Sequence, residues 1–155
     1  MPPIRGRPKG VVIWAFAALT HVVLIGMFLL QALVGHEILF MTRDQASAFR
    51  WLADEVPHDA LVVAAPETGL YTPAWAGQRV YYGHRFETAN AEQRQAQLEA
   101  FYAQNELSMS PPPDYVFYGP HEQALTEGDW QPDAGWDEVY QQGTVAIYAI
   151  PRDQE

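Results

Sequence analysis

Residues 11–34, VVIWAFAALTHVVLIGMFLLQALV, contain no charged side chain, and only Thr20, His21 and Gln31 among them are clearly polar. No other feature constrains the chain so strongly. As an α-helix this run rises about 36 Å, enough to cross a hydrocarbon core about 30 Å thick with some tilt. The competing reading is a cleaved secretory signal, since a short basic leader, PIRGRPKG, precedes the run. Signal cores are shorter, about 7 to 15 residues, and end in small residues of an A-x-A kind, whereas this one ends QALVGHEI. The expectation is therefore an uncleaved membrane anchor. Arg5, Arg7 and Lys9 lie before it, which places the N-terminus in the cytoplasm and the remainder outside. The expected partition is a cytoplasmic leader (1–10), a transmembrane helix (11–34) embedded in the lipid bilayer, a juxtamembrane segment (35–43), an extracytoplasmic domain (44–151) and a tail (152–155).

Charge supports that division. All 19 acidic residues lie beyond the span, with six of the nine basic ones, a formal balance of −13 for the distal part. Such a surface repels phosphate backbones, which argues against a nucleic-acid partner. The chain has no cysteine. Disulfides, thiol catalysis and cysteine metal sites are excluded, and nothing implies a cofactor.

Beyond the span, Asp44 is a plausible N-cap for AFRWLADEV, in which Phe49, Leu52 and Val56, flanked by Ala48 and Trp51, form an apolar stripe that Pro57 ends. LVVAA (61–65) reads as a strand buried on both faces. PETGLYTPAWAGQ (66–78) has two prolines and two glycines and reads as a loop, too broken for a long helix. RVYYG (79–83) is a second strand, and Asn90, with Gln93 three residues on, can cap a helix over AEQRQAQLEAFYAQ. After a proline-rich linker, DYVFYG is a third strand, PHEQ a short helix opened by proline, and WDEVYQQGTVAIYAIP a hairpin around Gln-Gly. The expected fold class is α/β: one N-terminal transmembrane helix, then a small, largely parallel α/β domain with a C-terminal antiparallel hairpin.

In parallel sheets, ligands bind beyond the carboxyl ends of the strands. The three strands there run into Pro66-Glu67-Thr68-Gly69, into His84-Arg85-Phe86-Glu87-Thr88 and into Pro120-His121-Glu122. Glu67, His84, Arg85, Glu87, His121 and Glu122 are thus the charged and imidazole candidates for ligand binding or docking. Tyr71 and Trp75, in the segment before the second strand, add rings on which a glycan could stack. His84, His121 and a glutamate could in principle ligate zinc, but they lack the i, i+4 spacing of H-E-x-x-H, and no metal is expected. Glu67 and Glu87 could form an acid/base pair. His84 and Glu87 could equally serve the corner itself by accepting exposed amides. His21, within the span, is an intramembrane ionisable group and so a candidate functional position, although a neutral histidine facing lipid or a neighbouring helix is the favoured reading.

The stretches FRWLADEVPHDALVVAAPETGLYTPAWAGQRVYYGHRFET, DYVFYGPHEQAL and VYQQGTVAIYAIP, in that order after an apolar span, resemble the C-terminal end of bacterial GT-C type polytopic membrane glycosyltransferases, mannosyltransferase-like proteins among them. The resemblance covers about residues 11–151, and GH-x-x-ET and DYVFYGP-x-E are its most specific parts. It implies a last spanning helix followed by an extracytoplasmic α/β segment. In that family the catalytic carboxylate lies in the first extracytoplasmic loop of a many-helix core, which this one-span sequence lacks. No catalytic residue carries over. The resemblance therefore implies a domain that is noncatalytic alone and serves docking or acceptor positioning, with a multi-span glycosyltransferase or a glycan as partner. The alternatives are an independent surface module for a solute or glycan, and a small hydrolase or metalloenzyme using Glu67, His84, Glu87 and His121.

Overall fold

The computed structural model describes residues 9–34, 41–104, 107–126 and 130–151. Most of the leader, residues 35–40 of the juxtamembrane segment and the tail 152–155 lie outside them. The chain divides into two units, one ending at Met41 and one beginning at Thr42. In the first, α1 (Lys9–Val34) is an uninterrupted helix of 26 residues. Its Ile13–Leu30 stretch has a mean hydropathy of 2.2, and none of it is buried. This is one helix long and apolar enough to span a membrane.

The second unit opens with α2 (Arg43–Glu55). Thr42 caps it, not Asp44. The Gln45 amide donates to Thr42 Oγ1 at 3.2 Å, and the Thr42 amide donates to Gln45 Oε1 at 3.0 Å. The T-x-x-Q spacing satisfies two end amides reciprocally, and Asp44 falls in the first turn, where its charge favours the helix dipole. At the far end Val56 is extended, as a residue before proline must be. The Gln78 amide there donates to the Leu52 and Val56 carbonyls at 2.9 and 3.0 Å.

β1 (Leu61–Val63) is buried throughout, as its apolar run requires. The following segment, expected as a loop, is instead the ten-residue helix α3 (Pro66–Trp75). Pro66 occupies the first turn, where its missing N–H has no partner to lose, and Pro73 removes a single internal bond. The decisive contact is tertiary. A Cβ at Gly69 would strike the Tyr82 carbonyl oxygen, so only glycine lets this helix lie directly on the chain leaving β2. Packing here overrides weak propensity.

β2 is short, Arg79–Val80, although the Tyr81 amide still donates to the Val62 carbonyl at 2.9 Å. α4 (Ala91–Gln104) follows Asn90, whose φ of 55° is left-handed, a conformation Asn tolerates better than most residues. β3 (Tyr115–Tyr118) leads into α5 (Pro120–Gln123), opened by its proline as expected. β4 (Asp137–Gln142) and β5 (Val145–Ala149) form the hairpin, turning at Gly143 with φ 56°.

The sheet order is β2-β1-β3-β5-β4. β1 pairs parallel with β2 and β3, whereas β5 pairs antiparallel with β3 and β4. The domain is α/β with the expected antiparallel hairpin at its C-terminal end, so its sheet is mixed, not purely parallel. The parallel strands are short because each turns quickly into its helix or corner, so the hairpin carries the longest ladders. On one face Leu61, Val63 and Val116 meet Leu98, Phe101 and Tyr102 of α4, together with Tyr81 and Trp130. On the other, Phe117 stacks on Phe49 of α2 with centroids 5.5 Å apart. Val116 and Phe117 therefore face opposite layers, as strand alternation requires.

Candidate functional site

β1 and β3 are neighbours running in the same direction, so their carboxyl ends open side by side. One wholly buried carboxyl, Glu122 of α5, ties them together. Its Oε1 accepts the Ala65 amide at 2.8 Å and its Oε2 the Gly119 amide at 2.9 Å. Ala65 and Gly119 cap α3 and α5, so both donors are helix-end amides without intrahelical partners.

Burial pushes the Glu122 carboxyl above its ordinary 4.5, while the Thr68 hydroxyl and the amides of Ala65, Glu122 and Gly119 pull it back. The Thr68 hydroxyl, buried beside the carboxyl, acts on its charge without forming a well-aligned hydrogen bond. Tyr102, from α4, completes the buried polar group. Its hydroxyl donates to the Phe117 carbonyl at 2.8 Å and lies 3.3 Å from that of Val63. Burial first, then the Glu122 charge, then Tyr118 hold its phenol well above 10.

The carboxyl end of β2 opens instead into the GHRFET corner, which closes on itself. The amides of Glu87 and Thr88 donate to the His84 carbonyl at 3.0 and 2.9 Å, and the Phe86 amide donates to His84 Nδ1 at 3.3 Å. The side chains of His84, Arg85, Phe86 and Glu87 are all exposed. The ring of Phe86, at 88% exposure, lies against that of His84 with centroids 5.5 Å apart.

Between this corner and α3 runs a groove of about 530 Å³. Leu70, Pro73 and Ala74 of α3 form one wall, His84, Glu87 and Thr88 the other, with Val80 and Arg94 between. Arg94 is anchored at its base: Nη1 donates to the Tyr81 carbonyl at 3.0 Å, and the guanidinium sits 5.0 Å from the Tyr81 ring centroid. Gly83 is held by the same approach that admits α3, since a Cβ there would lie 3.0 Å from the Gly69 carbonyl oxygen.

The strand exits thus sort the sequence candidates into different places. His84 and Glu87 share the groove. Arg85 faces a second cleft with Phe86 and pairs with exposed Glu92 at 3.4 Å. Glu67 and Tyr71 are half-buried on α3, and Trp75 at its end is 63% exposed. His121 and Glu122 are buried beneath β3's exit, where no solute reaches the Glu122 carboxyl. Among the described residues no group of three or more His, Asp or Glu side chains is placed to hold a metal ion. An apolar wall with a few convergent polar groups is a binding arrangement.

Sequence reasoning passed over Arg94, Thr88 and the Gly69–Gly83 contact. Only the two glycines left a signal, and their meaning depends on α3 being a helix. Comparison with protein-family models finds no match, and comparison with curated proteins finds none.

Proposed function

We propose that this chain is a membrane-anchored, noncatalytic extracytoplasmic domain that docks to a multi-span glycosyltransferase or positions its glycan acceptor. The observation that carries the reading is the groove between α3 and the GHRFET corner. It is a shaped surface formed by an otherwise unexplained, self-closed turn, and exposed Trp75 and Phe86 lie on the elements that form it. The resemblance of the GH-x-x-ET and DYVFYGP-x-E stretches to the GT-C tail supplies the partner class. Arg5, Arg7 and Lys9, ahead of the uncharged run, support a cytoplasmic N-terminus with the domain outside.

An affinity pull-down of the full-length chain from its native membrane in mild detergent tests this. Recovery of a multi-span glycosyltransferase lacking its own tail, reduced when Trp75 and Phe86 are both replaced by alanine, is the expected result. A chain that emerges alone removes the docking reading.

A second reading, an independent glycan-binding module, draws on the same exposed rings, which suit stacking against a sugar face. It predicts glycan binding by the purified chain with no enzyme present.

A further inference from the structure

His21 stands at the midpoint of the apolar helix, eight residues after Ile13 and nine before Leu30. At 1.5 Å per residue it lies about 12 to 14 Å from either end of that stretch. An imidazole cannot bridge such a distance to the headgroups, as the long side chains of Lys and Arg do from positions near helix ends.

The ring's hydrogen bonding is asymmetric. Nδ1 lies 2.7 Å from the Ala17 carbonyl oxygen, one turn back. A carbonyl only accepts, so Nδ1 carries the proton, and in the neutral ring Nε2 is left as a bare acceptor. Hydrocarbon offers no water to complete it. The neighbouring polar side chain is already engaged, since Thr20 donates its hydroxyl to the Phe16 carbonyl at 2.9 Å.

A second copy of this helix running parallel would not meet that need. At the same depth it presents the same Nε2 acceptor and the same committed Thr20 hydroxyl, and the two rings pair only if one of them gives up its Nδ1–H bond to the Ala17 carbonyl. Its Trp14 indole N–H is seven residues away, about 10 Å along the axis. The missing group is a donor from another sequence.

We infer that His21 is the contact point for a spanning helix of a different membrane protein, one that presents an O–H or N–H donor to Nε2 at mid-bilayer depth. The inference rests on α1 being a membrane span, and it gives the docking reading a second, intramembrane contact. By helical spacing Trp14, Ala17, Ala18, Ile25 and Phe28 share the His21 face, and Leu19 and Val23 lie opposite. Ala17 and Ala18 leave room for a close helix approach beside the ring.

The test uses the full-length chain in its native membrane, with a photo-crosslinking residue at Ala18 or Ile25, or at Leu19 or Val23 as the opposite face. A carbonate wash comes first. The expected products form from positions 18 and 25, and peptide mapping places them in a spanning segment bearing a Ser, Thr, Tyr, Asn, Gln or Trp. His21→Leu lowers their yield about three- to tenfold, the range interhelical hydrogen bonds in membranes support. His21→Gln, which keeps an acceptor, restores it. Removing the partner's donor lowers the yield equally and adds nothing to His21→Leu.

Three results overturn the inference. They are adducts only between copies of this chain, adducts indifferent to His21→Leu, and no adduct from a chain that resists the wash. A chain that the wash releases overturns the anchor itself, which separates the two failures.

Discussion

Glu122 Oε1 accepts the Ala65 amide at 2.8 Å, joining residues 57 apart in sequence. With the 2.9 Å bond from Gly119, this makes one carboxyl the common terminus of two adjacent strands and the starting point of α3. The groove wall is therefore set from beneath by a residue that no solute can touch.

Glu122→Gln tests that junction. Two backbone donors then face an amide with a single acceptor oxygen, and the expected loss is about 1 to 3 kcal/mol. The pH dependence has a definite sign. Burial raises the folded carboxyl above 4.5, so folding favours the protonated form. That contribution is fully present below about 4.5 and is lost as pH rises through the folded value. The advantage of wild type over the glutamine variant should therefore shrink from pH 4.5 toward pH 8, measured by denaturant unfolding. An advantage that grows with pH would mean that the two amides outweigh burial.

Tyr102→Phe removes the donor to the Phe117 carbonyl and should cost about 1 to 2 kcal/mol. Burial, aided by the Glu122 and Tyr118 charges, keeps the phenol protonated well above 10. Its stabilising contribution is thus complete below about pH 10 and disappears only as pH passes the folded value. Phenolate absorbance from this residue should appear together with unfolding and not before it.

Gly69→Ala should be the more damaging of the two glycine substitutions. Its Cβ meets the fixed Tyr82 carbonyl, whereas a Cβ at Gly83 reaches the Gly69 carbonyl oxygen at 3.0 Å. Overpacking of this kind costs about 1 to 3 kcal/mol. Gly83→Ala with the larger loss would mean that α3 yields more easily than the corner does.

Thr42→Ala should destabilise α2 by about 1 kcal/mol. Asp44→Ala should cost less, because it loses a dipole contribution and one long 3.4 Å contact to the Thr144 amide. Thermal melts of the two variants rank them, and the reverse order would return the cap to Asp44.

The sequence by itself determined the apolar helix, since two dozen consecutive residues without charge need no tertiary context to be read. It determined the buried β1, the proline-opened α5 and the hairpin at Gly143 for the same reason: strong local patterns have one local solution. It also pointed to the exits of the strands as the place to look. The tertiary structure alone decided what those exits contain. α3 forms over a segment with two prolines because Gly69 admits Tyr82's backbone, a contact between residues that no periodicity connects. His84 and Glu87 share a groove while Glu122 is buried against the Ala65 and Gly119 amides, although all three follow strands in the same way. Burial is a property of what packs against a residue from elsewhere in the chain, so the same carboxyl reads as a ligand in sequence and acts as a structural clasp in the fold.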